Sequence, residues 1–213
     1  IDIHSDAFWL MSQFYQEGRF HMIYGNHDIV KRDPRYSQTN CETFYCDSAV
    51  SDLSLFPGLE ITEGILLKYK YGDNQIFLTH GHQVDCFNST FWRLARFLVR
   101  YVWRPLQLTG VRDPTSASKN YNRQNKIEKR LVHWSDKNKQ MLICGHTHRP
   151  VFPKAGSSLY FNDGSCVHPR CITAIEIYNG FISLVKWATM TTPERLLYVG
   201  REVLEGPVRL SDY

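Results

Sequence analysis

Three short apolar runs, each followed by a polar cluster containing Gly and His, constrain the fold of this chain more than any other feature. The runs are 20–24, 75–78 and 141–144, and the clusters are Gly25-Asn26-His27-Asp28, Thr79-His80-Gly81-His82 and Gly145-His146-Thr147-His148. Short apolar runs of this kind predict buried strands, and α/β sheets place their ligands at the carboxyl ends of strands. The repetition therefore predicts an α/β protein whose strand ends carry a functional site.

The side chains of these clusters have the chemistry of a metal-dependent site. Asn26 offers a neutral carbonyl oxygen to a metal ion, the imidazole of His27 can carry a proton, and Asp28 can hold that imidazole in one tautomer. His146 and His148 are separated by one residue, so both can face an ion pair from one loop. A single Asn-His-Asp turn or a single histidine is more often structural, but three clusters at strand ends favour a site.

In their order and placement, the three clusters resemble the last three motifs of the calcineurin-like metallophosphoesterases. The resemblance implies a single α/β domain over 1–213, a calcineurin-like β-sandwich flanked by helices. It also implies two divalent metal ions, Mn, Fe or Zn, in the intact protein. The implied ligands are Asn26, His80 and His146 for one metal and His148 for the other. The implied catalytic residue is His27, as general acid or transition-state stabiliser, with Asp28 orienting it.

The start of the chain departs from that family. Its members carry an upstream Asp-x-His and a Gly-Asp-x-x-Asp, which complete the metal site. Here Asp2-Ile3-His4 is the only candidate for the first motif, and it leads into a helical pattern instead of ending a strand. We therefore expect a chain that lacks the first strand-helix-strand portion of the domain. Alone, it is expected to bind metal weakly and to have little or no turnover.

The segment 83–139 is expected to form a helical insertion that covers the site as a lid. Between positions 86 and 140 the sequence has 12 Lys and Arg and three Asp and Glu. The run 91–103 is apolar around most of a helix, apart from a narrow stripe that contains Arg93, Arg96 and Arg100. This stripe is interpreted either as a phosphate-binding surface or as the solvated face of a packed helix. Arg149 has the same two interpretations, a phosphate contact or a surface residue.

Other patterns predict the remaining elements. A helix capped by Ser5 or Asp6 runs to about Glu17, with an apolar face of Ala7, Phe8, Leu10, Met11, Phe14 and Tyr15, and Gly18 ends it. A second helix begins after Asp113-Pro114 and ends near Trp134, with Ile127, Leu131 and Trp134 on one side. Hairpins are expected from 65–71 with 75–80, from 172–178 with 181–188 through Asn179-Gly180, and within 196–205.

The implied reaction is hydrolysis of a phosphomonoester, phosphodiester or pyrophosphate bond by a two-metal-activated hydroxide. The Gly-His-Thr-His-Arg-Pro run and the arginine-rich insertion are also similar to UDP-2,3-diacylglucosamine pyrophosphatases, which suggests a phosphorylated small-molecule, nucleotide or lipid-linked substrate. Those enzymes carry Arg in place of His27 and Gly-Asp in place of Gly81-His82. The narrower similarity is therefore a hypothesis about substrate class.

Two other function classes compete with the enzyme. A basic nucleic-acid-binding module would explain the positive charge of 86–140, because phosphate neutralisation needs little beyond Lys and Arg. A peripheral membrane or partner-binding protein would use 87–105 as an interfacial anchor. Neither explains the three histidine clusters, so the phosphoesterase is the preferred reading and a nucleic-acid partner the less favoured one.

Cysteine usage bears on the compartment. The six cysteines form no Cys-x-x-Cys pair, and several lie in apolar runs, so they are interpreted as reduced packing residues of a cytoplasmic protein. The local disulfide candidates are Cys41 with Cys46 and Cys166 with Cys171. Within residues 1–213 we find no signal-peptide pattern and no uncharged apolar run long enough to cross a bilayer, although an upstream segment could carry either. Peripheral contact at the inner membrane face is the alternative expectation for location.

Overall fold

The computed structural model describes residues 4–33, 35, 43–46, 51–70, 75–85 and 121–213. The chain forms two compact units, Ile1–Glu63 and Gly64–Tyr213. The arginine stripe of 91–103, the predicted cap at Asp113-Pro114 and the turn 71–74 lie outside the described residues. The single-domain organisation over 1–213 stays a prediction.

The first unit combines one helix with short strands. Its elements are α1 (Ser5–Gln16), β1 (Met22–Ile23), β2 (Thr43–Cys46), β3 (Ser51–Ser54) and β4 (Ile61–Thr62). Strand β1 pairs with β4 in parallel, and β2 pairs with β3 antiparallel. Leu55, Phe56 and Leu59 form the core, and the Phe20 ring stacks on Phe56 with centroids 5.0 Å apart. The strand expected over 20–24 is thus present but shorter.

Helix α1 packs through only part of the expected face. The line Phe8, Ser12 and Tyr15, spaced i, i+4 and i+7, faces the core, whereas Leu10 is 52% exposed and Met11 39% exposed. Ser12 tolerates burial because its hydroxyl donates to the Trp9 carbonyl at 2.6 Å. The apolar face was therefore predicted only in part.

The ends of α1 show one wrong and one confirmed prediction. The N-cap is His4, which makes no side-chain capping bond, so capping by Ser5 or Asp6 is wrong. Gly18 has φ +68° and ends the helix as expected. Its N–H donates to the Tyr15 carbonyl, and the Arg19 N–H donates to the Phe14 carbonyl, which together form a Schellman motif.

The second unit contains a four-stranded mixed sheet and one long helix. The strands are β5 (Gly64–Lys68), β6 (Gln75–Thr79), β7 (Met141–Cys144) and β8 (Tyr160–Asn162), and the helix is α2 (Tyr121–Asn138). The sheet order is β5-β6-β7-β8, in which β6, β7 and β8 are parallel and β5 is antiparallel to β6. The predicted pairing of 65–71 with 75–80 is confirmed.

A three-stranded antiparallel sheet completes this unit, with β9 (Cys171–Tyr178), β10 (Phe181–Thr191) and β11 (Leu197–Arg209). Asn179 and Gly180 have φ +48° and +79°, as a two-residue hairpin turn requires, so the hairpin of β9 and β10 is confirmed. The hairpin expected within 196–205 is wrong. That segment lies in the single strand β11, which pairs along β10.

Alternating residues of β7 explain how the layers pack. Met141 and Ile143 face the second sheet, where they pack in one buried cluster with Ile182 of β10 and with Leu210, directly after β11. This contact makes a β-sandwich. On the opposite face, Leu142 and Cys144 pack against α2. The predicted α/β class, a β-sandwich with a flanking helix, is confirmed.

Helix α2 packs on the sheet and is part of this core. Ile127 and Leu131 are each 3% exposed and lie against the sheet, whereas Trp134, the third residue of the expected face, is 39% exposed. The helix also continues to Asn138, beyond the expected end. Most of the lid prediction concerns residues 86–120, which lie outside the described residues, and there it stays a prediction.

Two further sequence expectations can be compared with the described residues. Cys166 and Cys171 are both free thiols, so the disulfide alternative for this pair is not formed, and Cys41 lies outside the described residues. Among the helices of the described segments, none has the length and apolar character needed to span a bilayer.

Candidate active site

Parallel strands β6 and β7 bring two of the predicted clusters together. Ile76 pairs with Met141 and Leu78 with Ile143, so the residues that follow both strands lie at the same sheet edge. The His80 and His146 rings are 5.0 Å apart between centroids. The His82 ring lies 5.2 Å from that of His80 and 6.5 Å from that of His146. Three imidazoles therefore gather at this edge of the sheet.

His146 is held in an unusual backbone conformation. It has φ +65°, and the Thr147 N–H donates to the Gly145 carbonyl at 2.7 Å, so His146 is the central residue of a γ-turn. A γ-turn with positive φ is rare and strained, and a non-Gly residue in this region costs about 1–3 kcal/mol. Such a conformation persists only when neighbouring groups fix it, and strained residues of this kind are concentrated at functional sites.

Asn162, at the end of β8, holds the strained turn. Its side chain is fully buried, and Nδ2 lies 2.8 Å from the Gly145 carbonyl and 3.2 Å from Thr147 Oγ1. The same nitrogen is 2.9 Å from the Tyr160 hydroxyl, and Oδ1 accepts from the Gly164 N–H at 2.9 Å. Both ends of the γ-turn are therefore tied to one buried amide.

Helix α2 contacts the same loop from the other side. Gln124 Nε2 donates to the Thr147 carbonyl at 2.9 Å, and Thr147 Oγ1 lies 3.3 Å from Glu128 Oε1. Because α2 is anchored in the core, these contacts fix the loop relative to the sheet.

A buried carboxylate lies next to the histidines. Asp85 is 5% exposed, its Oδ1 accepts from Arg123 Nη2 at 2.6 Å, and its Oδ2 lies 3.4 Å from His146 Nε2. Burial raises the pKa of Asp85, but the hydrogen bonds from His146 and Arg123 outweigh it and lower that pKa to about 2. Asp85 is therefore an ionised hydrogen-bond acceptor at neutral pH.

The Gly25-Asn26-His27-Asp28 loop follows β1 in the first unit, as expected. Asn26 Oδ1 is buried and accepts no hydrogen bond from any described residue, so its lone pairs are available to a cation. His27 is exposed. Asp28 Oδ1 accepts from the Gly25 N–H at 2.6 Å, and Oδ2 lies 3.9 Å from Lys31 Nζ. Asp28 thus contacts Gly25 and Lys31, and its role in orienting the His27 ring stays a prediction.

The remaining predicted residues lie at the surface or outside the described residues. His148 is exposed and has φ +57°. Arg149 Nη1 is 3.2 Å from both Glu128 Oε2 and Asn125 Oδ1 on α2, which favours the surface interpretation of this side chain. Arg93, Arg96 and Arg100 lie outside the described residues, and their substrate role stays a prediction.

Comparison with known proteins gives the family. The family model for the calcineurin-like phosphoesterase superfamily domain matches residues 2–177. The chain belongs to the calcineurin-like phosphoesterase superfamily. Among solved structures, this superfamily member is similar to Vps29 from Chaetomium thermophilum, at 10% sequence identity over 68% of the chain and with a TM-score of 0.32. The match spans 59% of that Vps29 chain.

The sequence search of curated proteins finds no match. The membership confirms the broad resemblance carried by the three clusters. The narrower similarity to UDP-2,3-diacylglucosamine pyrophosphatases stays a hypothesis.

Members of the calcineurin-like phosphoesterase superfamily generally bind divalent metals, and the donor types here suit such ions. Imidazoles, a carboxylate and an amide oxygen are ligands of Mn, Fe and Zn. In the segments that the structure describes, however, no three His, Cys, Asp or Glu side chains converge closely enough to hold an ion. The donor types of these residues are therefore compatible with a metal ion.

Sequence reasoning did not assign roles to four residues of this site: His82, Asp85, Arg123 and Asn162. His82 is the last residue of the second cluster, and its position directly after β6 is the sequence signal that could have identified it. Asp85 and Arg123 are 38 positions apart, and their pairing has no local signal.

Asp163 provides a pH-dependent test of packing beside the turn. A Cβ added to Gly145 would lie 3.1 Å from Asp163 Oδ1, so the carboxyl lies directly against the loop. Burial raises the pKa of Asp163 from 3.8 to about 6. The folded state therefore holds the proton to higher pH than the unfolded chain, and the free energy of unfolding falls as pH rises from about 4 to about 6.

Replacing Asp163 with Asn is expected to remove this fall. We compare the free energy of unfolding of the Asn variant with that of the wild type. The difference, variant minus wild type, should be up to about 3 kcal/mol larger at pH 8 than at pH 4. Urea unfolding across this pH range measures the difference, with the exposed Glu60→Gln variant as control. A parallel pH dependence of Asp163→Asn and wild type would contradict it.

Proposed function

We propose that this protein is a metal-dependent phosphoesterase that hydrolyses a phosphomonoester, phosphodiester or pyrophosphate bond. The observation that carries the proposal is the gathering of His80, His82 and His146 at the ends of parallel strands, with His146 in a strained turn. Strain at this position costs stability, and a site that needs the imidazole there gives a reason for it. Family membership supports the same reaction class.

In this proposal Asn26, His80 and His146 hold one divalent ion and His148 contributes to a second. Bound ions of this kind supply a nucleophilic hydroxide at neutral pH and neutralise charge on the phosphoryl group. The buried Oδ1 of Asn26, which accepts no hydrogen bond from the described part of the chain, is suited to its role because a cation would satisfy its lone pairs.

His27 is proposed to act as a general acid that donates a proton to the leaving oxygen, or as a stabiliser of charge on the phosphoryl group in the transition state. Its exposure leaves the ring accessible to a substrate. Arg149 is proposed to bind a phosphate oxygen at the site, and Arg93, Arg96 and Arg100 are proposed to bind phosphate from the insertion. The substrate is proposed to be a phosphorylated small molecule, a nucleotide or a lipid-linked diphosphate, in the cytoplasm or at the inner membrane face.

Hydrolysis of p-nitrophenyl phosphate and bis-p-nitrophenyl phosphate tests the proposal. The rates are measured with Mn²⁺ and with chelator, in the protein expressed from its natural start codon. We expect Mn²⁺-dependent hydrolysis that falls to the chelator level in His80→Ala and His146→Ala. His133→Ala is the matched control, because His133 lies exposed on α2. Equal wild-type rates with Mn²⁺ and with chelator would contradict the proposal.

A further inference from the structure

We propose that Asp85, held by Arg123, is a positioning residue for His146 that fixes which ring nitrogen is available to a metal ion. The inference rests on the proposed metal-dependent function. It assigns a role to a carboxylate outside the three clusters and to an arginine on α2.

The first step is the contact between Asp85 and His146. Oδ2 of Asp85 lies 3.4 Å from His146 Nε2, and the two side chains are 6% and 3% exposed. An ionised carboxylate can only accept hydrogen bonds, so the ring must carry its proton on Nε2 to make this contact. The lone pair then lies on Nδ1. A carboxylate behind a ligating histidine fixes the tautomer and the ring orientation in this way.

The second step is the contact between Asp85 and Arg123. Arg123 Nη2 donates to Asp85 Oδ1 at 2.6 Å, and this leaves Oδ2 for the histidine. The guanidinium side chain is 19% exposed, so the pair is shielded from solvent. Each carboxylate oxygen thus has its own partner, which restricts rotation of the Asp85 side chain.

The third step is the rigidity of the elements that carry these groups. Arg123 lies on α2, whose Ile127 and Leu131 pack on the sheet. Arg130, two turns further along α2, donates from Nη1 to the Val84 carbonyl at 2.9 Å, directly before Asp85. Helix α2 therefore holds residues 84–85 at two points. Because α2 packs on the core, these contacts fix the position of Asp85.

A purely structural ion pair is the competing explanation. In that case Asp85 and Arg123 only attach α2 to the segment that follows β6, and the contact with His146 does not determine the tautomer of its ring. The two explanations differ in the His146 tautomer and in metal affinity when the fold is intact.

The experiment combines long-range ¹H–¹⁵N spectra of the His146 ring with Co²⁺ titration followed by visible absorption. The wild-type ring is expected to carry its proton on Nε2. In Asp85→Asn the introduced amide can donate to Nε2, so the proton moves to Nδ1 in part or completely. Co²⁺ affinity is expected to fall about 10–100-fold. Arg123→Gln should lower the affinity as well, and Arg123→Lys should recover part of the loss.

Controls separate tautomer effects from unfolding. Asp136→Asn removes an exposed carboxylate from the same helix and should leave both readouts unchanged. The double variant Asp85→Asn with Arg123→Gln leaves no unpaired buried charge, and it is used if Asp85→Asn alone does not fold by near-UV circular dichroism.

The outcomes distinguish this inference from the proposed function. A wild-type ring protonated on Nδ1, or Co²⁺ affinity within twofold of wild type in the folded Asp85 variants, would overturn the positioning role alone. A wild-type protein that binds no Co²⁺ would overturn the proposed metal-dependent function, and the inference with it. A proton on Nε2 together with the expected loss of affinity would support the inference.

Discussion

Replacing Asn162 with Ala is expected to lower the free energy of unfolding by about 3–4 kcal/mol, because four polar groups around it each lose a hydrogen bond at once. The Asn162 amide binds the Gly145 carbonyl, Thr147 Oγ1, the Tyr160 hydroxyl and the Gly164 N–H. None of these groups can turn to water easily, since Asn162 and Thr147 are fully buried. Urea unfolding followed by fluorescence measures the loss.

The same substitution should release the γ-turn at His146. With one end of the turn untied, the positive φ of His146 loses part of its support, so the variant should bind Co²⁺ more weakly than wild type even where it is folded. Asn138→Ala is a matched control, because the Asn138 amide donates only to the Trp134 carbonyl at an exposed position. A loss for Asn162→Ala no larger than for Asn138→Ala would show that Gln124 and Glu128 suffice to hold the loop.

The parts of this molecule that could be predicted from sequence are those with local causes. An apolar run followed by Gly and His places a strand and its end, because the run must be buried and the glycine permits the turn. That argument found His80 and His146, and the parallel pairing of β6 with β7 brings them together. The hairpin at Asn179-Gly180 was predictable for the same reason, since its turn residues carry their own conformational preference.

The parts that sequence could not give depend on distant partners. Asp85 meets His146 across 61 positions, and Asn162 meets Gly145 across 17. Neither pairing leaves a local pattern. The face of α1 was predicted only in part. Leu10 and Phe8 are both apolar, and the position of the cluster of Leu55, Phe56 and Leu59 decides which of them is buried. The hairpin predicted within 196–205 is wrong because the pairing of this segment with β10 depends on tertiary structure and has no local sequence pattern.

His27→Ala is expected to lower kcat by about 10²–10⁴-fold for a substrate whose leaving oxygen is strongly basic, which is the usual contribution of a general acid. For p-nitrophenyl phosphate the loss should be much smaller, because p-nitrophenolate departs without needing a proton. Comparing kcat for phenyl phosphate and p-nitrophenyl phosphate in variant and wild type measures this contrast. His27 is exposed, so its removal should not change the free energy of unfolding appreciably.

The contrast between leaving groups also separates the two roles proposed for His27. An equal loss on both substrates would indicate that the imidazole stabilises charge on the phosphoryl group, since that charge develops whichever oxygen departs. A loss that grows with the basicity of the leaving oxygen would indicate proton donation. His21→Ala controls for removal of a neighbouring exposed imidazole just before β1. Unchanged kcat on both substrates in His27→Ala would contradict either role and would leave catalysis to the residues at the ends of β6 and β7.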